Sequence, residues 1–249
     1  MHTQTYPGVV TALAIVLLLT SPFLPVSAED SFGVLIFSDD FERTESQEEK
    51  DEPGNEWTTS SDKTAGGRKQ VDLREGAMHM HTAEGANHAV STRHEFAFTD
   101  GTIGMRFRLD GEKDELRLNF ADMSLKTVHA GHLFDAVIRL DKVSFEDKKT
   151  GFMNLEIRNA RKNGTIDPEK LRELNQSKFA SFPVTPKLAL AEWHDLLVHV
   201  KGDEITVQLN GETAGSFRSE GIAHPTKGLL RLLVPGAAWV DDVKIWRKE

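Results

Sequence analysis

The chain has 249 residues, no cysteine, ten histidines and a formal charge of −9. Without thiols it can build neither a disulfide framework nor a thiolate metal site, so its stability must come from a packed core. The acidic balance gives no electrostatic basis for binding nucleic acid or anionic lipid.

Residues 1–28 contain no Lys, Arg, Asp or Glu, and TALAIVLLLT at 11–20 has the length of a secretory apolar region rather than of a membrane span. Val26, Ser27 and Ala28 supply the small-residue pattern for cleavage after Ala28. The expectation is a signal peptide over 1–28 and a single mature domain over 29–249, secreted or periplasmic and not inserted in a membrane after cleavage. The opening MHTQTY has no basic residue, which leaves an uncleaved anchor as the alternative.

Residues 33–38, GVLIFS, read as a first strand, and the acidic run DDFERTESQEEKDE begins a solvated loop over 39–56. Residues 70–73 and 77–81 pair as a hairpin across Arg74, Glu75 and Gly76. From 102 to 109, Ile103, Met105, Phe107 and Leu109 alternate with Arg106 and Arg108, and Asp-Gly turns bracket the strand. The same period places Leu116, Leu118 and Phe120 opposite Arg117 and Asn119, and Phe134, Ala136, Ile138 and Leu140 opposite Asp135 and Arg139. In WHDLLVHVKGDEITVQLNGETAGSF, Gly202-Asp203 and Asn210-Gly211 divide three strands, the second turn matching type I′ chemistry. Two further strands, at 228–234 and 239–246, complete the series.

Residues 150–185 interrupt the β pattern. Asp167 before Pro168 is a helix N-cap with proline at the first position, so 168–178 is expected to be helical, while 152–161 fits a helix or an irregular loop. Many short half-buried strands, few helices and no internal repeat argue an all-β, two-sheet antiparallel jelly-roll sandwich carrying a short helical insertion.

The stretches DGTIGMRFRL, AEWHDLLVHVKGDEITVQLNGE, GIAHPTKGLLRLLV and VDDVKIWR resemble the concanavalin A-like (LamG-like lectin/glucanase) jelly-roll domains of secreted bacterial proteins, and among these the 3-keto-disaccharide hydrolase-like domains of planctomycetes. The likeness runs over about 39–247, weakest at 150–185. Gly221, His224, Pro225, Thr226 and Lys227 match its G-x-x-H-P-T-K loop. The resemblance implies a carbohydrate partner.

Retaining glucanases on this fold carry E-x-D-x-x-E, because two carboxyls must stand about 5–5.5 Å apart across the sugar bond. The nearest match, Glu112 to Arg117, ends in a cation, so that chemistry is not expected. A polar face of Arg106, Arg108, Arg117, Asn119, Asp135, Arg139 and His199, with Trp193 as aromatic platform, would suit sugar hydroxyls or uronate carboxylates if one sheet presented them all. The bland reading is a solvated sheet face.

VHAGHLFD places His129, His132 and Asp135 within reach of one another as acid–base candidates, beside the reading of a glycine turn entering a strand. His79 and His81 share a strand face but need a third ligand to hold a metal. Calcium is the candidate ion, at Asp40 and Asp241 with Asp39 and Asp242, if the first and last strands pair. The leading expectation is a secreted glycan-binding protein. The alternatives are a hydrolase or lyase acting on a 3-keto or otherwise modified glycoside, and a structural or interaction module of the cell envelope.

Overall fold

The computed structural model describes residues 1–2 and 32–248, so the expected signal segment and its cleavage point lie almost wholly outside the described residues. Within them the chain runs β1 (Val34–Asp39), β2 (Thr58–Thr59), α1 (Ser61–Thr64), β3 (Val71–Arg74), β4 (Ala77–His81), β5 (Val90–Phe98), β6 (Asp100–Arg108), β7 (Leu116–Ala121) and β8 (His132–Ile138). It continues with β9 (Lys142–Asp147), α2 (Leu155–Lys162), α3 (Pro168–Ser177), β10 (Phe179–Pro183), β11 (His194–Lys201), β12 (Glu204–Leu209), β13 (Glu212–Arg218), β14 (Lys227–Val234) and β15 (Ala237–Lys248).

These strands form the expected two-sheet antiparallel jelly roll. The first sheet has the order β13-β12-β11-β6-β15-β4-β3, with β1 also on β15, and the second has β10-β9-β8-β7-β14-β5-β2. β15 can pair with both β4 and β1 on one edge because a bulge between Asp241 and Lys244 divides it.

The alternation read from sequence decides what is buried. Ile103, Phe107, Val198 and Val207 of the first sheet meet Leu118, Phe120, Phe134, Phe145 and Leu232 of the second, all with no more than 1% exposure. Each such side chain contributes roughly 1.5–3 kcal/mol through burial. The Asn210-Gly211 turn has both residues at positive φ, 50° and 84°, as a type I′ hairpin requires.

The insertion contains two helices, so of the two alternatives for 152–161 the structure shows the helix. Asn154 caps α2 by accepting from the Glu156 and Ile157 N–H groups, and Asp167 caps α3 as its sequence foretold. Among the described residues no helix is long and apolar enough to cross a membrane.

Asp147, fully buried at the end of β9, ties the insertion to the β13–β14 loop. Its carboxylate accepts from the Thr150 N–H and hydroxyl, the Ser219 hydroxyl and the Gly221 N–H. Gly221 is required there because any Cβ would collide with that carboxylate. His224 Nε2 meets Asp122 at 2.9 Å, and Lys227 Nζ donates to the Thr99 carbonyl. The G-x-x-H-P-T-K loop is thus held by architectural contacts.

Candidate functional site

The second sheet carries a single rung of polar residues across its outer face. Antiparallel registers align Thr58 with Arg93, Arg93 with Arg231, Arg231 with Asn119, Asn119 with Asp135, and Asp135 with Glu146. Because the side-chain period of a strand is two, each of these residues points away from a core-facing neighbour. The result is a cationic end, a central amide and an acidic end.

The acidic end is internally neutralised. Asp135, with no exposed surface, receives the Asn119 amide, the Arg117 guanidinium at 3.3 Å and the Lys148 ammonium at 2.7 Å. Lys148 also lies 3.7 Å from Glu146, and Arg117 pairs with Glu115 at 2.8 Å, which in turn pairs with Arg139. Burial holds the Glu146 carboxyl above its ordinary range, reinforced by the nearby Asp135 charge.

The cationic end opens into a cavity of about 360 Å³ whose lining includes Arg93, Arg231, His132, Lys148, Ser91 and Met123. Asn119, fully buried, braces two of its lining residues from behind. Its Nδ2 is committed to Asp135, so its Oδ1 faces Arg231 Nη1 at 2.8 Å and His132 Nδ1 at 2.9 Å. Burial, then the Arg231 and Lys148 charges, push the His132 imidazole down to about 3, so it is neutral at ordinary pH. Burial and the Arg93 charge push the Arg231 guanidinium down to about 10.

VHAGHLFD supplies the rim. Val128 bridges to Asn154, His129–Gly131 forms one 3₁₀ turn, and β8 starts at His132. Ala130 adopts a φ of 50°, which turns its carbonyl onto Arg231 Nη2 at 2.8 Å. Gly131 has a φ of 67°, and a Cβ there would run into the Asp122 backbone carbonyl. Gly131→Ala is therefore expected to destabilise the protein by about 1–3 kcal/mol, measured by urea unfolding, and to displace the Ala130 carbonyl from Arg231. Wild-type stability in this variant would refute that reading.

The polar face expected from sequence is divided between the two sheets. Arg117, Asn119, Asp135 and Arg139 face out from β7, β8 and the segment just after β8, whereas Arg106, Arg108 and His199 belong to β6 and β11 of the opposite sheet. Trp193 is covered by cations: the Arg106 and Arg108 guanidinium carbons lie 5.1 and 5.5 Å from its ring centroid, and Arg108 also lies over Trp239 at 4.2 Å. His199 contacts Thr102 at 3.0 Å and packs on Phe32. These four residues therefore do not extend the surface formed by Arg117 and Asn119.

Of the acid–base trio, His132 lines the cavity, and the exposed His129 ring lies 6.4 Å from it. Asp135 is sealed beneath Lys148 and Arg117, so it positions Asn119 and cannot meet a ligand as a free acid or base.

The calcium candidates Asp39, Asp40 and Asp242 line one cavity, but among the described residues no three of the four candidate carboxylates come close enough to share an ion. β1 and β15 do pair, but Asp241 faces Arg106 at 3.5 Å, and Asp40 accepts from the Glu42 N–H. Among the described residues the one carboxylate trio close enough to share an ion is Glu45, Glu48 and Asp72. The Lys69 ammonium already sits on it, at 2.7, 2.9 and 2.9 Å. His79 and His81 stack at 5.7 Å on the outer face of the first sheet, with Trp239 against His79, and belong to no group of three ligands among the described residues.

Arg93, Arg231, Lys148 and Glu146 were not singled out from sequence. The signal for Arg231 lies in GLLRLLV, a run otherwise without charge on either face, where burying a charge is costly unless a site needs it.

Fold and face together define a two-sheet antiparallel jelly roll with a polar cavity on one sheet. The laminarinase from Rhodothermus marinus superposes with a TM-score of 0.55 at 12% identity, over 86% of this chain and 97% of that one. LamA E269S from Z. galactanivorans, solved with laminaritriose and laminaritetraose, gives 0.51 at 15% identity over 87% and 100%. Carbohydrate-binding module CBM66 from Bacillus subtilis gives 0.50 at 11% identity over 77% and 95%. No protein-family model and no curated protein matches the chain.

Proposed function

We propose that the protein is an exported glycan-binding jelly roll whose recognition surface is the outer face of the second sheet. The observation that carries this reading is the cavity at the cationic end of the polar rung, where Arg93, Arg231 and His132 line a concave site on a rigid sheet. Export rests on the uncharged apolar segment before Ala28. Support for a sugar partner comes from similar folds that include laminarinases and a carbohydrate-binding module.

A second reading is a hydrolase or lyase acting on a 3-keto or otherwise modified glycoside. It is favoured by the neutral His132 on the cavity wall, the one member of the acid–base trio placed to meet a ligand there. A glycan array run with product detection separates the two. Retention without products is the expected result. Products that vanish in His132→Ala would establish the enzyme instead, and silence on every glycan would eliminate both.

A further inference from the structure

We infer that the cavity selects an acidic sugar, taking its carboxylate or sulfate substituent on Arg93 with Arg231 as the buried charge behind it; this rests on the glycan-binding reading above. Arg93 and Arg231 are direct cross-strand partners, and like charges so placed repel. Arg231 is only 5% exposed, so water screens that repulsion poorly.

The other end of the same rung shows how the fold treats such a pair when nothing else is to bind. Asp135 stands opposite Glu146, and the chain inserts Lys148 and Arg117 to neutralise them. At the cationic end, no carboxylate of the described residues pairs with Arg93 or Arg231. Charge of one sign, offset only by Asp135 from beyond ion-pair distance, is gathered in a concave site, which is the arrangement that attracts an anion.

Donor geometry assigns the roles. Arg231 spends its Nη groups on Asn119 Oδ1, the Ala130 carbonyl and Met123 Sδ, so it is fixed in place. Arg93 donates from Nε to the Ser91 hydroxyl at 3.0 Å, and both of its Nη groups are without an acceptor among the described residues. A planar guanidinium with two free Nη groups matches the paired oxygens of a carboxylate or sulfate. Met123, exposed at the rim, and Leu233 give the ring of the sugar an apolar edge, whereas no Trp, Tyr or Phe lines this cavity as a stacking platform.

The test is calorimetric titration of the full chain with three oligosaccharide probes: a neutral β-glucan, an oligogalacturonate and a sulfated galactan. Wild type is expected to bind at least one acidic probe ten or more times tighter than the neutral one, with affinity falling as NaCl rises. Arg93→Gln should lose about tenfold or more in that affinity. Because it relieves a repulsion, the same variant should melt about 2–4 °C higher, whereas a merely structural arginine would lower the melting temperature. Arg218→Gln, at an exposed pair with Asp203 and Glu204, should change neither.

Binding of the uronate alone identifies a carboxylate ligand, binding of the sulfated probe alone a sulfate ester, and binding of both recognition by charge. Neutral glucan bound as tightly as the acidic probes, or full acidic-probe affinity in Arg93→Gln, overturns the inference and leaves glycan binding standing. No binding to any probe overturns both.

Discussion

Lys148→Met is expected to lower unfolding free energy by about 3 kcal/mol, because it strips a counter-charge from a carboxylate that water cannot reach. Lys148 Nζ lies 2.7 Å from Asp135, its side chain is 6% exposed, and that of Asp135 is 0%. Breaking one partner of a buried pair costs about 3–5 kcal/mol, and the lower end applies because Arg117 remains 3.3 Å from the same carboxylate. Asp135→Asn removes the stranded charge instead, so the double variant should recover at least half of the loss. Urea unfolding of the four proteins gives the coupling directly. A loss below about 1 kcal/mol for Lys148→Met, or additivity of the two changes, would mean that the acidic end is not a neutralised buried cluster.

That cluster also explains why the site is lopsided. Asn119 passes its Nδ2 to the acids and its Oδ1 to Arg231 and His132, so a single amide couples the compensated end of the rung to the open one. Weakening Asp135 would free Asn119 to flip and would loosen Arg231 and His132 on the cavity wall. The acidic end thus works as the support of the recognition end, which needs its donors held still to select a ligand.

Alternation made the strands legible, and with them the outward direction of Arg117, Asn119, Asp135 and Arg139. It could not say which of two sheets a strand joins. β6 and β7 are consecutive, yet the chain crosses between sheets over residues 109–115, and this alone separates Arg106 and Arg108 from Arg117. Strand membership depends on long-range pairing of β6 with β11 and β15 and of β7 with β8 and β14. The same limit hid the rung, since Arg93 and Arg231 become neighbours only when β5 and β14 pair. β5 was missed because Arg93, His94 and Glu95 interrupt VSTRHEFAF at its centre, and β9 and β10 because KVSFED and FASFP border the helices and are too short for their period to stand out. In VHAGHLFD the division between a glycine turn and a strand from His132 was legible, because Gly131 marks a backbone that other residues adopt only under strain.

Mild acid is expected to destabilise this protein through its buried histidines before the ion-paired aspartates Asp39 and Asp122 are protonated. Burial holds His132 down at about 3 and His79 at about 4, and it lowers His94, His129 and His199 as well. An imidazole whose folded value lies below the ordinary 6.5 binds its proton more readily in the unfolded chain. The stability it confers is complete above pH 6.5 and drains away as the pH falls toward the folded value, here 3 to 4. At about 1.4 kcal/mol per unit, with the contribution of His79 halved for its partial exposure to solvent, His132 and His79 together remove roughly 3 kcal/mol between pH 7 and 5. That window precedes the protonation of Asp39 and Asp122, whose values are lowered because Arg43 and His224 outweigh the opposing effect of burial. His132→Gln should remove about two-thirds of that loss, because it takes away the imidazole that burial, with the Arg231 and Lys148 charges, keeps neutral. Urea midpoints at pH 7, 6 and 5 provide the measurement. Equal stability at pH 7 and 5, or a slope unchanged in His132→Gln, would contradict a neutral imidazole wedged beside two cations on the cavity wall.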